Sequence, residues 1–180
     1  MPHFRLIVDA PLATRWPENI GKLILNFSAV ELESIHWLVQ LSMDVKSIPV
    51  FAQEKFSMRI KGLKSYIKDC APEKSWADAA LQVWTEAKEL AKIRNKIAHN
   101  PLVFGWTKDP PTGEPDFIGL PDMLRPENPT VGADPLMSSD ELLAAINKIP
   151  PLVQRMAELR TQYCIHRDAH QTTCADGGAH

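Results

Sequence analysis

Cysteine is scarce in this chain and neither sign of charge dominates. The three cysteines, Cys70, Cys164 and Cys174, are odd in number and scattered over 180 residues, which fits neither a disulfide framework nor paired zinc-ligand spacing. A reducing cytoplasm is the compartment this usage predicts. Twenty lysines and arginines against 22 aspartates and glutamates leave a formal net charge of −2. That is too little positive charge to coat nucleic acid nonspecifically, which requires many phosphate neutralisations, so any RNA contact has to be local. Long apolar runs are also missing. Residues 1–13 lack the basic start and apolar stretch of a secretory signal, and Glu31 and Glu33 interrupt the most apolar helical stretch, so no membrane span is expected. There is no phosphate-binding glycine loop, no serine-nucleophile elbow and no internal repeat. What remains, 44% hydrophobic and 23% charged residues, suits one globular domain with a buried core.

The apolar residues recur at helical spacing. After Pro17, a proline placed where a first helical turn tolerates it, Ile20, Leu23, Ile24, Phe27, Val30, Ile35 and Leu38 describe one face of a helix over about Pro17 to Met43. A second pattern, Phe51 to Ile67, aligns Phe56, Ile60, Leu63 and Ile67, with Lys61, Lys64 and Lys68 as a solvated row opposite. The third starts at Ser75, an N-cap residue type, and Trp76, Ala80, Val83, Ala87, Leu90 and Ile97 keep its period through Arg94. Five tryptophans, at 16, 37, 76, 84 and 106, mostly follow helical faces and read as core or interface anchors.

Between Pro101 and Pro135 the chain turns rich in proline and glycine, with Pro110-Pro111-Thr112-Gly113 separating two more apolar stretches. A short hairpin and an irregular excursion both fit. Helical patterning resumes after Ser138, which makes a capping-box spacing with Glu141, and Leu142, Ile146, Ile149, Val153, Met156 and Tyr163 trace its buried side. Pro150-Pro151 are expected to kink or split this helix. From about Arg167 to His180 the apolar period is gone. The predicted architecture is therefore all-α: a four- or five-helix up-and-down bundle over residues 1–166, with a long Pro/Gly-rich connection or short β-hairpin between helices three and four, and a flexible tail over 167–180. Cys164, His166, His170 and Cys174 lie along that end at a spacing unlike a closed zinc site. The Glu33-x-x-His36 step matches half of a di-iron motif and has no second half in the sequence. No metal and no cofactor are expected.

The densest chemistry is Lys92-Ile93-Arg94-Asn95-Lys96-Ile97-Ala98-His99-Asn100-Pro101, where the third helix ends on an arginine, two asparagines and a histidine and Pro101 stops it. Guanidinium binds phosphate in a planar, bidentate way, and imidazole titrates near neutral pH, so the pair suits proton transfer around a phosphodiester. On an ideal helix Arg94 and His99 point about 140° apart, whereas Asn95 and His99, four apart, share a face. The bland reading is that Arg94 pairs with a buried carboxylate while His99 caps its own helix end. Glu31, among Phe27, Ile24, Ile35 and Leu38, needs a partner if buried, with Arg94 the natural candidate. Otherwise it marks the edge of the apolar stripe.

The segment Arg94-Asn95-Lys96-Ile97-Ala98-His99 resembles the signature of the HEPN superfamily: an arginine, a polar residue and then a histidine at the end of a helix in a small α-helical bundle. The resemblance implies a homodimer whose paired motif helices form a shared site, and a metal-independent endoribonuclease of toxin–antitoxin or defence systems. Arg94 and His99 would then be catalytic, with Asn95, Glu31 and Asn100 supporting. RNA would be the substrate and an antitoxin a partner, with no membrane involved. An alternative from another class is a noncatalytic helical dimer binding RNA, a nucleotide or a protein partner.

Overall fold

The computed structural model describes residues 15–99, 104–105, 116–117 and 137–176, with backbone alone for residue 99, for the two short strands and from residue 170 onward. The described chain is almost entirely helical. Its order is α1 (Trp16–Ser42), a 3-10 turn (Val45–Ser47), α2 (Ile48–Gln53), α3 (Phe56–Cys70), α4 (Lys74–His99), β1 (Phe104–Gly105), β2 (Asp116–Phe117) and α5 (Ser139–Asp176). The two strands are two residues each and pair antiparallel, Phe104 opposite Phe117 and Gly105 opposite Asp116. Most of the Pro/Gly-rich connection lies outside the described residues. Among the described residues no helix is long and apolar enough to cross a membrane.

The chain divides into two compact units, one of Met1–Asn26 with Ala91–Lys148, the other of Phe27–Leu90 with Ile149–His180. In the second unit, segments of α1, α3, α4 and α5 surround a common core. The Trp37 indole of α1 stacks on Trp76 of α4, with centroids 5.6 Å apart, and meets Trp84 edge-on at 5.7 Å. Its Nε1 donates to the Met156 carbonyl of α5 at 3.1 Å, and Trp76 Nε1 donates to the Leu159 carbonyl at 2.9 Å. Trp76 also packs on Tyr163 at 5.5 Å. On α3, Phe56 meets Phe27 edge-on at 5.2 Å, and Gly62 lies close against Leu38 of α1. The first unit buries Trp16, Leu23, Ile97, Met137, Leu142 and Ala145.

The second helical pattern of the sequence is two helices. Glu54 and Lys55 both take extended backbone between α2 and α3, and Arg59 Nη1 donates to the Phe51 carbonyl at 3.2 Å. A side chain from the next helix thus joins the Glu54 N–H on an acceptor at the end of α2. Helix α4 starts one residue before Ser75. Glu73 precedes its first turn with its carbonyl accepting from Ala77 N at 3.1 Å, while the Ser75 hydroxyl donates to the Glu73 carboxylate. A negative charge there complements the helix dipole.

Pro150 and Pro151 do not end α5. They stand exposed on it while Ile149 and Leu152 on either side are 1% exposed, so burial of the flanking residues holds a helix that has lost two backbone hydrogen bonds. Helix α5 also continues past Arg167 to Asp176. Arg167 donates to Gln40 Oε1 of α1 at 3.2 Å, and the Cys164 thiol donates to the same oxygen at 3.4 Å. Polar cross-links to α1 thus accompany the helix where its apolar period runs out. Helix α1 ends with Met43 in the left-handed region at φ 59°, its N–H bonded to the Val39 carbonyl, a terminus more often given to glycine.

Two outcomes follow from this core. Trp37 and Trp84 are both fully buried, but Trp84 Nε1 has no hydrogen-bond partner whereas Trp37 Nε1 does. Trp37→Phe should therefore cost about 1 kcal/mol more than Trp84→Phe in denaturant unfolding, because only the former removes a made hydrogen bond. Burial raises the Tyr163 hydroxyl above its ordinary value of 10.0, the thiols of Cys70 and Cys164 add to the rise, and Arg167 opposes it. A raised value means that the native state holds its proton longer than the unfolded chain does. This contribution is complete below pH ~10 and is lost as pH climbs through the native value. Unfolding followed against pH should show a decline above about 10 that Tyr163→Phe reduces.

Candidate functional site

Helix α4 carries the sequence motif on its last two turns, within the first unit. Leu90, Ala91 and Ile97 are buried, and Lys92, Asn95, Lys96 and Ala98 are exposed, the division a 3.6-residue period imposes on a helix with one packed side. Arg94 sits at the boundary, half-buried. Its Nη1 donates to Asn95 Oδ1 at 3.0 Å. The guanidinium is thereby turned from the edge of the packed side toward the exposed face. Residue 99 is the last of the helix, and by period it falls on the face of Asn95. The 140° gap between Arg94 and His99 on an ideal helix is narrowed in part by this bend of the arginine toward Asn95. The side chain of His99 and all of Asn100 lie outside the described residues.

Glu31 belongs to the second unit and is half-buried. One cation on which its charge acts is Arg59, a residue 5% exposed on α3. Burial lowers the Arg59 guanidinium's hold on its proton, and Glu31 and then Glu54 oppose that shift. Arg59 Nε has no partner, and the guanidinium lies 5.7 Å from the centroid of the Phe56 ring. The lysines opposite are divided: Lys61 and Lys68 are exposed, while Lys64 is half-buried and reaches the Thr85 hydroxyl at 3.2 Å.

The deeply buried carboxylate of α1 is Glu33, 8% exposed. Arg160 of α5 grips it with two bonds, Nε to Oε2 at 3.1 Å and Nη2 to Oε1 at 3.4 Å, and His36 Nδ1 stands 3.5 Å from Oε1. The Glu33-x-x-His36 step thus sits in an ion pair. Among the described residues no group of three or more His, Cys, Asp or Glu side chains is placed to hold a metal. Sequence reasoning missed the partner although a signal was there. Arg160 lies four residues after Met156 and three before Tyr163, inside the apolar stripe of α5, where a lone arginine asks for a buried carboxylate.

A cavity of about 610 Å³ opens in the first unit between the starts of α1 and α5, lined by Arg15, Glu18, Asn19, Lys22, Ser138 and Asp140 among others. Lys22 hydrogen-bonds Glu18 and holds its carboxyl below the usual range. Ser138 and Glu141 exchange backbone-to-side-chain bonds at 2.8 and 3.1 Å, the capping box the sequence announces. Two cations and two carboxylates line this cavity, so its side-chain charges balance. No protein-family model, curated protein or solved structure matches the chain. The chemistry therefore rests on the chain itself, and at the end of α4 the structure brings together the Arg94 guanidinium and the Asn95 amide.

Proposed function

We propose that this protein is a metal-independent endoribonuclease of the HEPN kind, acting as a homodimer and serving as a toxin or defence component. The observation that carries the reading is the Arg94–Asn95 hydrogen bond at 3.0 Å on an exposed helix end whose face includes position 99. In this scheme Arg94 binds the scissile phosphate through its planar donors, and Asn95 orients the guanidinium. His99 takes the proton of the ribose 2′-hydroxyl as that oxygen attacks phosphorus. The bond to the 5′-oxygen breaks, the leaving oxygen is protonated, and the products are a 2′,3′-cyclic phosphate and a 5′-hydroxyl end. Concentrating charge stabilisation on the phosphate by a pre-aimed cation lowers the barrier without a metal. In a two-fold dimer each copy's motif helix contributes to a shared cleft.

The second reading is a noncatalytic helical dimer that uses the same helix ends to bind RNA, a nucleotide or a protein partner. The formal net charge of −2 favours it. The two readings separate on end-labelled single-stranded RNA incubated in excess chelator. The ribonuclease reading expects cleavage by the wild type, cyclic phosphate ends, no cleavage of DNA, and a loss of about 10²- to 10⁴-fold in a folded His99→Ala variant. Absence of cleavage, or equal cleavage by both proteins, contradicts it.

A further inference from the structure

The cavity of about 610 Å³ in the first unit plays no part in the reaction proposed for the end of α4. Its size falls within the range of about 300 to 1,000 Å³ common to small-molecule sites. Two of its wall groups already match each other, since Lys22 bonds Glu18 one turn earlier on α1. Three others are unmatched. Asn19 is 4% exposed and its backbone N–H bonds the Arg15 carbonyl at 2.9 Å, but its side-chain amide makes no hydrogen bond among the described residues. Among those residues, the side-chain atoms that are sealed from solvent without a partner are Arg59 Nε and Trp84 Nε1. The Asn19 amide therefore keeps its small residual access, and the space it opens on is the cavity it lines. The Arg15 guanidinium and the Asp140 carboxylate, both exposed on the same wall, likewise make no hydrogen bond or ion pair among the described residues. Arg15 acts on Glu18 through space alone.

We propose that this cavity binds a small zwitterion, an ammonium and a carboxylate carried on one short molecule, as in a free α-amino acid or a dipeptide. The planar fork of Arg15 matches a carboxylate in bidentate fashion, and Asp140 accepts from the ammonium. Asn19 carries donors and an acceptor on one amide and can bond either end. A hydrogen bond from the ligand restores the partner that burial has taken from it. Leu143, on the same wall and 39% exposed, offers an apolar contact to a ligand side chain. A simple anion would meet the carboxylates of Glu18 and Asp140, and a simple cation would meet Arg15 and Lys22. The balanced wall thus selects against both and for a molecule carrying the two charges together. This inference is independent of the ribonuclease reading and shares no residue with it.

The test is isothermal titration calorimetry of the full chain with two zwitterions, L-leucine and L-alanyl-L-leucine, and with two analogues lacking one charge each. N-acetyl-L-leucine has no ammonium and L-leucinamide has no carboxylate. Saturable binding of at least one zwitterion is expected, with both analogues weaker by about tenfold or more, the cost of one charged hydrogen-bonded contact. The tighter of the two zwitterions identifies a free amino acid or a peptide as the source. Asn19→Leu exchanges the amide for an apolar side chain of similar shape, so it should weaken binding by about tenfold or more without lowering the thermal midpoint. Arg15→Ala and Asp140→Asn, at exposed positions, should weaken binding to a similar degree with unchanged circular dichroism, and they carry the test if Asn19→Leu does not fold. No saturable heat with either zwitterion, equal affinity for an analogue lacking one charge, or unchanged affinity in Arg15→Ala and Asp140→Asn overturns the proposal.

Discussion

Two buried indole N–H groups set the arrangement of the larger helical unit. A buried indole N–H gains from an acceptor, and with helix carbonyls already bonded along their own ladder the second lone pair of a carbonyl is what Trp37 and Trp76 use, whereas Trp84 Nε1 has no partner. Trp37 takes the carbonyl of Met156 and Trp76 that of Leu159, three residues further along α5. Acceptors one turn apart fix α5 in register, since a slip of one residue turns both away. The same face continues through Arg160, which grips Glu33, then Tyr163 against Trp76, then Cys164 and Arg167 on Gln40. Positions 156, 159, 160, 163, 164 and 167 are the three- and four-residue steps of one helical stripe. The polar members of this stripe act as register pins along an otherwise apolar seam. The Glu33–Arg160 pair illustrates why such pins specify more than they stabilise: each partner loses hydration, and what they gain is a single permitted alignment.

Helix α4 connects this core to the candidate site. Its first turns carry Trp76, Val83 and Trp84 into the packed unit, and its last turns belong to the other unit and expose Asn95 and two lysines. Within the first unit, Ala91 and Ile97 anchor the last turns of α4 by their burial. The half-buried stem of Arg94 limits the guanidinium's freedom, and the bond to Asn95 fixes its direction. In the proposed reaction, an arginine held in this way loses less entropy when it takes a phosphate.

The helical core was legible in the sequence because burial and period coincide there. Trp76, Ala80, Val83, Ala87, Leu90 and Ile97 are all buried, as are Ile60, Leu63 and Ile67. Ile24 departs from its stripe and is 43% exposed, which apolarity alone does not reveal. The break at Glu54–Lys55 was not legible, because the apolar period runs across it and the Arg59 bond to the Phe51 carbonyl that spans it has no periodic signature. The continuity of α5 through Pro150-Pro151 and on to Asp176 likewise rests on tertiary contacts that override a local rule. At the candidate site, the shared face of Asn95 and position 99 was readable from spacing, but the turn of Arg94 toward Asn95 was not. That turn depends on a rotamer, and spacing does not encode rotamers.

The central claim is that the exposed end of α4 receives an RNA strand. Mapping backbone amide shifts by nuclear magnetic resonance while titrating an uncleavable single-stranded 2′-O-methyl RNA tests it most directly. The account predicts the largest changes over Lys92 to His99 and little change along the Lys61–Lys68 row of α3. No saturable change, or changes centred on α3 or on the tryptophan core, would contradict it.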